Sequence, residues 1–247
     1  MSYSEFADVY DSLQSDVDYA RRTEYLLSLF KKYDRQPTLL LDLACGTGGF
    51  SLQFQKCGID VIGVDISPEM LDVARSRFSD ENREALLLCQ SAAELDLYGT
   101  VDGAICCLDS LNHIIDEEEL CESIAKVSLF LEPERLFIFD VNTEYKHREI
   151  LSGNTFVCDE EDVYCVWNCS ECDEEGIVDI SLDFFKRNGD GSYRRSGEEF
   201  SERAYSVPFL TKTCEDAGLE VLAVLSDMSE ADAKSIDDRI IFVTRKR

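Results

Sequence analysis

Short apolar runs alternate with segments of helical periodicity through the first 141 residues. The runs Thr38–Leu43, Val61–Val64 and Gly103–Leu108 are almost continuously apolar, which is typical of central parallel strands covered on both faces. The segments between them carry helix signals, because Gly58 stands where a helix stops and Pro68 where one starts. Repeated βα units with short links predict an α/β fold, a Rossmann-like and mostly parallel sheet with helices on both faces.

The same patterns give seven strands and five helices for this sheet. The strands are predicted at Thr38–Leu43, Val61–Val64, Ala85–Cys89, Gly103–Leu108, Leu136–Val141, Leu219–Leu225 and Arg239–Thr244. The helices are predicted at Tyr19–Tyr33, Phe50–Cys57, Pro68–Phe78, Glu117–Phe130 and Val207–Ala217.

Between residues 142 and 204 the pattern becomes strand-like, with turn signals between the runs. Val178–Phe184 alternates apolar and polar side chains, as in a half-exposed antiparallel strand, and Asn188–Gly191 is a hairpin turn signal. Three strands are predicted at Val163–Cys169, Ile177–Lys186 and Ser192–Phe200. We therefore expect a Rossmann-like domain of residues 1–141 and 205–247, interrupted by a small antiparallel β subdomain of residues 142–204.

Acidic residues outnumber basic ones by 51 to 24, which gives the chain a net charge of −27. Such a field repels phosphate backbones and anionic membrane surfaces, so a nucleic-acid or membrane partner is not expected. No apolar run reaches the roughly 18 residues of a membrane span. The N-terminal residues are polar and acidic, unlike a signal or transit peptide, which predicts a cytoplasmic protein.

The 11 cysteines are expected to be reduced and to bind no metal. Their number is odd and the chain is long, which disfavours a disulfide framework. Cys169 and Cys172 form a single Cys-x-x-Cys pair, without the second pair or neighbouring His that a structural zinc site needs.

The segment Leu39–Phe50 is a hydrophobic strand that ends in an acid and passes through small residues into a helix. Glycines at Gly46 and Gly48 allow the backbone to approach a ligand closely, as in dinucleotide-binding loops. Ser51 stands at the third glycine position of the dinucleotide pattern, and Asp42 would repel a pyrophosphate. The loop therefore favours a ligand with an ammonium group over one with phosphates.

These residues resemble the first motif of class I S-adenosylmethionine (SAM) dependent methyltransferases, in which an acid is followed by spaced glycines. Ala44 replaces the first glycine, a common variant in that family. The resemblance implies that SAM is the cofactor, that Asp42 orients its methionine moiety, and that Gly46 and Gly48 lie against it.

Asp65 ends the second predicted strand, 23 residues after Asp42. An acid at that place can accept hydrogen bonds from both ribose hydroxyls. Ile66 and Met70 are expected to pack on the adenine ring. After the third strand the family carries an acid for the adenine amino group, but this chain has Ser91. The adenine contact is then expected from residues 90–92: Gln90, Ser91 and Ala92.

The fourth strand ends near the transferable methyl group, because the carboxyl ends of parallel strands face the ligand crevice. The Leu108 carbonyl is expected near the SAM ammonium. Asp109 and His113 are the candidates for a catalytic base, which an amine acceptor needs before it attacks. Phe6–Asp11 is similar to the lid of several small bacterial methyltransferases, which implies that Tyr10 closes over SAM.

Over most of its length the chain resembles small bacterial methyltransferases with an antiparallel insertion after the fifth strand, a group that includes aminosugar and small-amine N-methyltransferases. This implies transfer of a methyl group to a small-molecule acceptor, with an amine as one class, by a monomer or a homodimer. Two alternatives remain from the sequence: a SAM-binding protein without transfer activity, and a nicotinamide-dependent oxidoreductase.

Overall fold

The computed structural model describes residues 4–247. The helices are α1 (Ser4–Leu13), α2 (Tyr19–Tyr33), α3 (Gly49–Lys56), α4 (Pro68–Asp80), α5 (Glu117–Phe130) and α6 (Val207–Asp216). The strands are β1 (Leu39–Leu43), β2 (Asp60–Asp65), β3 (Leu86–Cys89), β4 (Gly103–Cys106), β5 (Leu136–Asn142), β6 (Thr155–Asp159), β7 (Val163–Cys169), β8 (Ile177–Arg187), β9 (Tyr193–Arg203), β10 (Leu219–Ser226) and β11 (Arg239–Lys246). A 3₁₀ turn follows β4 at Ser110–His113, and a π-helical turn follows β5 at Lys146–Leu151.

Seven strands form one sheet in the order β10-β11-β5-β4-β1-β2-β3. The five strands from β5 to β3 are parallel, while β11 and β10 pair antiparallel at the far edge. The strand order reverses between β4 and β1, because the chain builds the sheet outward from β1 to β3 and then returns to place β4 on the other side of β1. This confirms the expected Rossmann-like α/β fold.

Both faces of this sheet are covered, which explains the continuous apolar runs. Leu41 is fully buried in a cluster with Ile124 of α5 and Leu210 of α6. Its neighbour Leu40 is fully buried in a second cluster with Phe30 of α2 and with residues of α3. Successive side chains of a strand point to opposite faces, so a strand covered on both sides needs apolar residues at every position.

Strands β6, β7, β8 and β9 form a separate antiparallel sheet, as expected for the insertion. Its β8–β9 hairpin turns at Asn188–Gly191, where the Asn188 nitrogen donates to the Ser192 carbonyl at 2.8 Å. One face packs against α1, where the Phe6 ring stacks on Phe184 with centroids 5.6 Å apart. Strand β6, helix α1 and the π-helical turn were not predicted from the sequence.

Across residues 4–247, the helices are all too short or too polar to cross a bilayer.

Candidate active site

A cavity of about 420 Å³ opens at the carboxyl ends of β1, β2 and β4. This is the point where the strand order reverses, and ligands of open α/β sheets bind at such a switch point. A second cavity of about 30 Å³ shares Tyr10, Ala44, Gly46 and Ser110 with the first, so the two lie side by side.

Twelve of the 14 site residues predicted from the sequence line these two cavities: Tyr10, Asp42, Ala44, Gly46, Asp65, Ile66, Met70, Gln90, Ser91, Ala92, Leu108 and His113. The other two, Gly48 and Asp109, lie outside the lining. Gly48 instead faces α4, where an added Cβ would lie 3.1 Å from the Ala74 Cβ atom. Its φ of +76° and this close approach give Gly48 a packing role at the start of α3.

Asp65 ties the glycine loop to the end of β2. Its Oδ2 accepts from the Gly46 backbone nitrogen at 2.8 Å, and its Oδ1 accepts from the Ser67 nitrogen at 2.9 Å. The residue is 9% exposed, and burial raises the pKa of its carboxyl although these donors oppose the shift. Each carboxylate oxygen keeps a second lone pair, so the group can also accept from a ligand in the cavity.

Asp42 lies at the end of β1, in the wall of the smaller cavity. Its Oδ2 accepts from the Ser51 hydroxyl at 2.5 Å, and burial raises the pKa of the carboxyl to about 7 even though Ser51 acts in the opposite direction. Ser51, the residue that breaks the dinucleotide pattern, is therefore the partner that holds Asp42.

The wall after β3 contains residues 90–92. The Gln90 amide is engaged with the backbone of Asp96, with which it exchanges two hydrogen bonds of 3.2 and 3.1 Å. The Ser91 hydroxyl accepts from the Glu94 nitrogen at 3.2 Å. Ile66, which follows the neighbouring strand β2, is 62% exposed, so a large apolar side chain is open at the rim of the cavity.

The turn after β4 has two consecutive left-handed residues, Leu108 with φ +56° and Asp109 with φ +53°. The carboxylate of Asp140 holds this turn, because it accepts from the nitrogens of both residues at 2.9 and 2.7 Å. Arg239 pairs with Asp109 and, at 3.2 Å, with Asp140. Burial by itself raises the pKa of the Asp109 carboxyl. The nearby Arg239, Lys146 and His113 have the opposite and larger effect, so this pKa is lowered.

His113 enters the cavity from the 3₁₀ turn, and its side chain is 39% exposed. Its ring centroid lies 5.0 Å from that of Phe200, and its Nε2 lies 3.8 Å from Oε1 of the buried Glu202. The other oxygen of Glu202 lies 3.6 Å from Nε2 of the fully buried His147. Phe200 and Glu202, both on β9, therefore bring the antiparallel sheet to the predicted catalytic residue.

Asp109, His113 and Glu202 place ligand atoms within 4.8 Å of one another, a spacing that a metal ion also requires. The space between the two carboxylates is spanned by Asn142, whose Nδ2 donates to Asp109 at 2.9 Å and to Glu202 at 3.2 Å. Lys146 donates to the Asn142 oxygen, which fixes the orientation of the amide. The group is thus a hydrogen-bonded network with its own donors.

Several wall residues of the larger cavity were not predicted as site residues from the sequence: Ile114, Ile115, Glu119, Phe200 and Ser201. Phe200 is an isolated aromatic residue in the polar strand β9, and its sequence does not reveal which face of that strand meets the larger sheet.

The chain is similar in sequence and in structure to known proteins. Residues 40–134 match the family model of a methyltransferase domain. A relative named as a methyltransferase, YqeM of Bacillus subtilis, is 30% identical over 247 residues, which covers all of this chain and 98% of the relative. The crystal structure of a SAM-dependent methyltransferase from Clostridium acetobutylicum matches with a TM-score of 0.88 and 31% identity, over 99% of this chain and 98% of that chain.

The chain belongs to the class I SAM-dependent methyltransferases. The names of two relatives that match part of the chain state their methyl acceptors. A glycine/sarcosine N-methyltransferase of Parasynechococcus marenigrum is 29% identical over 65% of this chain and 57% of its own length. A dTDP-3-amino-3,4,6-trideoxy-alpha-D-glucopyranose N,N-dimethyltransferase of Streptomyces venezuelae is 31% identical over 51% of this chain and 53% of its own length.

The cavities of this methyltransferase fit SAM. The carboxylates of Asp65 and Asp42 lie in the walls of the larger and the smaller cavity, and the described lining residues include no Lys or Arg. The chain is therefore an enzyme that uses SAM, and the two alternatives left by the sequence, a nicotinamide-dependent oxidoreductase and a binding protein without transfer activity, are set aside.

Proposed function

We propose that this methyltransferase transfers the methyl group of SAM to the nitrogen of a small-molecule amine. The observation that carries the proposal is the position of His113, the one imidazole among the described lining residues, where the SAM cavity meets β9. The N-methyltransferase names of the two partial relatives support the choice of nitrogen. Residues 142–204 then form the acceptor side of the enzyme, and residues 1–141 with 205–247 its SAM-binding domain.

SAM supplies a methyl group that is already activated by its positive sulfur. In the proposed arrangement Asp42 and the Leu108 carbonyl receive the ammonium of the methionine moiety, while Asp65 accepts from the ribose hydroxyls. Ala44 and Gly46 bring the backbone close, and Tyr10 of α1 covers the site. The adenine ring lies among Ile66, Met70, Gln90, Ser91 and Ala92.

His113 acts as the general base in this proposal. An amine that arrives as an ammonium ion loses a proton to the imidazole, and the freed lone pair then forms the new N–C bond as the S–C bond breaks. The ring lies between Phe200 and Glu202, which fixes its place beside the acceptor. Asp109 is the weaker candidate for the base, because Arg239 and Asn142 already engage its oxygens and its pKa is lowered.

The test is release of S-adenosylhomocysteine with pairs of acceptors that differ only in the nucleophile, such as 2-phenylethylamine and 2-phenylethanol. We expect turnover with amines and none with the alcohols. The variant His113→Asn should lower kcat by about 10²–10⁴-fold, the usual contribution of a positioned base, and leave S-adenosylhomocysteine binding unchanged. Ser201→Ala alters another lining residue and serves as the matched control. Turnover of alcohols alone, or full activity of His113→Asn, contradicts the proposal.

A further inference from the structure

The acceptor end of the cavity is apolar and acidic. Its walls are Phe6, Ile114, Ile115 and Phe200, and the charged side chain among them is Glu119 of α5. Glu119 is exposed at the rim. Among the described residues that line the two cavities, none is a Lys or an Arg.

Arg203, Arg239 and Lys146 lie on elements that surround this end, and each already contacts a partner. Arg203 donates to the Ile115 carbonyl at 3.0 Å and to Glu117 at 2.5 Å. Arg239 pairs with Asp109 and Asp140, and Lys146 donates to Asn142 at 2.9 Å. A carboxylate or phosphate on the acceptor would have to share these cations with the acceptor groups that they already contact.

We infer that the acceptor is an amine with an apolar substituent and without a carboxylate or phosphate group. This inference rests on the proposed function, since it describes the amine that the same site takes. The apolar walls bury the substituent, and Glu119 favours the ammonium form as it enters. An anionic group at this end would lose hydration without gaining a Lys or Arg of the cavity lining, and burying a charge without a paired countercharge is unfavourable.

The acceptor expected for this cavity differs from the acceptors in the names of the partial relatives. Glycine and sarcosine carry a carboxylate, and a dTDP-linked sugar carries phosphates. In this chain the described lining has no Lys or Arg side chain to pair with either group. The inference therefore assigns a different acceptor class to a cavity of similar architecture.

The experiment compares 2-phenylethylamine with phenylalanine, which differ by one carboxylate. Both are titrated by calorimetry into the protein loaded with S-adenosylhomocysteine, and both are assayed for turnover with SAM. We expect 2-phenylethylamine to bind at least tenfold more tightly and to show at least tenfold higher kcat/KM.

A charge reversal provides the second arm. Glu119→Lys should shift the affinity ratio toward phenylalanine by at least threefold, because it places a cation at the rim. Glu118→Lys makes the same change on the neighbouring residue, which is exposed and does not line the cavity, and should leave the ratio unchanged.

The outcomes are distinguishable. Tighter binding of 2-phenylethylamine than of phenylalanine, without turnover of either, would support the expected selectivity of the cavity against a carboxylate and overturn the proposed function. Equal or tighter binding of phenylalanine would overturn the inference, whatever the turnover. Failure of both compounds to bind at millimolar concentration would also overturn it, because the apolar walls would then not be an amine site.

Discussion

Replacing Asp65 by Asn tests the proposed ribose contact at the end of β2. The substitution keeps the size of the side chain but removes its charge and exchanges one acceptor oxygen for a donor. A hydrogen bond to a charged group contributes about 1.5–3 kcal/mol, and about 1.4 kcal/mol corresponds to a tenfold change in affinity. We therefore expect S-adenosylhomocysteine to bind about ten- to a hundredfold more weakly.

The structure also predicts a separate cost in the free protein. Both oxygens of Asp65 accept from backbone N–H groups, those of Gly46 and Ser67. In Asp65→Asn the side-chain NH₂ must therefore face one of these two N–H groups, which loses its acceptor. Leaving such a buried donor unpaired costs about 1–3 kcal/mol. The free energy of unfolding of the unliganded variant should fall by that amount, whereas Asp60→Asn, at the exposed start of the same strand, should change neither quantity.

A ligand lacking one hydroxyl separates the two effects. In calorimetry at pH 8, the 2′-deoxyribose analogue of S-adenosylhomocysteine should bind the wild-type protein more weakly than the parent compound does, but bind Asp65→Asn about equally well. Such a cycle isolates the contact between the side chain and the hydroxyl. An unchanged affinity in a folded variant, or the same loss from removing the hydroxyl in both proteins, would refute the ribose contact.

Three further predictions concern pH, packing and partners. Burial raises the pKa of Asp42 to about 7, so between pH 4 and 7 the folded state holds a proton that the unfolded state has lost. The contribution of Asp42 to the free energy of unfolding should therefore decline as pH rises through that window. Unfolding in urea should show this decline, and Asp42→Asn should remove it. Gly58→Ala should lower the free energy of unfolding by about 1–2 kcal/mol because of its left-handed φ alone, since no atom lies within 4 Å of a Cβ at that position. Gly48→Ala should lower it by about 1–3 kcal/mol more, because its Cβ would also crowd Ala74. Equal losses of the two variants in thermal unfolding would contradict this. With a net charge of −27, the protein should not retain total tRNA on filters at low salt and submicromolar concentration, and retention there would oppose the small-molecule assignment.

The main sheet was predictable because both of its faces are buried. Continuous apolar runs and the acids that follow them gave the strands β1 and β2, and with them the positions of Asp42 and Asp65. The element bounds differ from the predictions by a few residues at most. Strand β6 escaped prediction because it is short and none of its five residues is buried, so it carries no continuous apolar run.

The contacts that shape the site were not predictable, because they join distant parts of the chain. The turn at Leu108 depends on Asp140, 32 residues away, and Asp109 pairs with Arg239, 130 residues away. Spacing also cannot tell which way a glycine faces. Gly46 lines the cavity and Gly48 packs on a helix, although the two stand in the same loop with the same sign of φ.

A crystal structure with S-adenosylhomocysteine bound tests the central claim most directly, namely that the cofactor lies along the ends of β1, β2 and β4 with its sulfur toward His113. We predict ribose hydroxyls within hydrogen-bond distance of Asp65, the adenine beside Ile66, and the sulfur facing the side of the cavity that His113 and Phe200 form. A ligand bound in the opposite direction, or with its sulfur closed off from His113, would contradict both the placement of the cofactor and the proposed transfer to an amine.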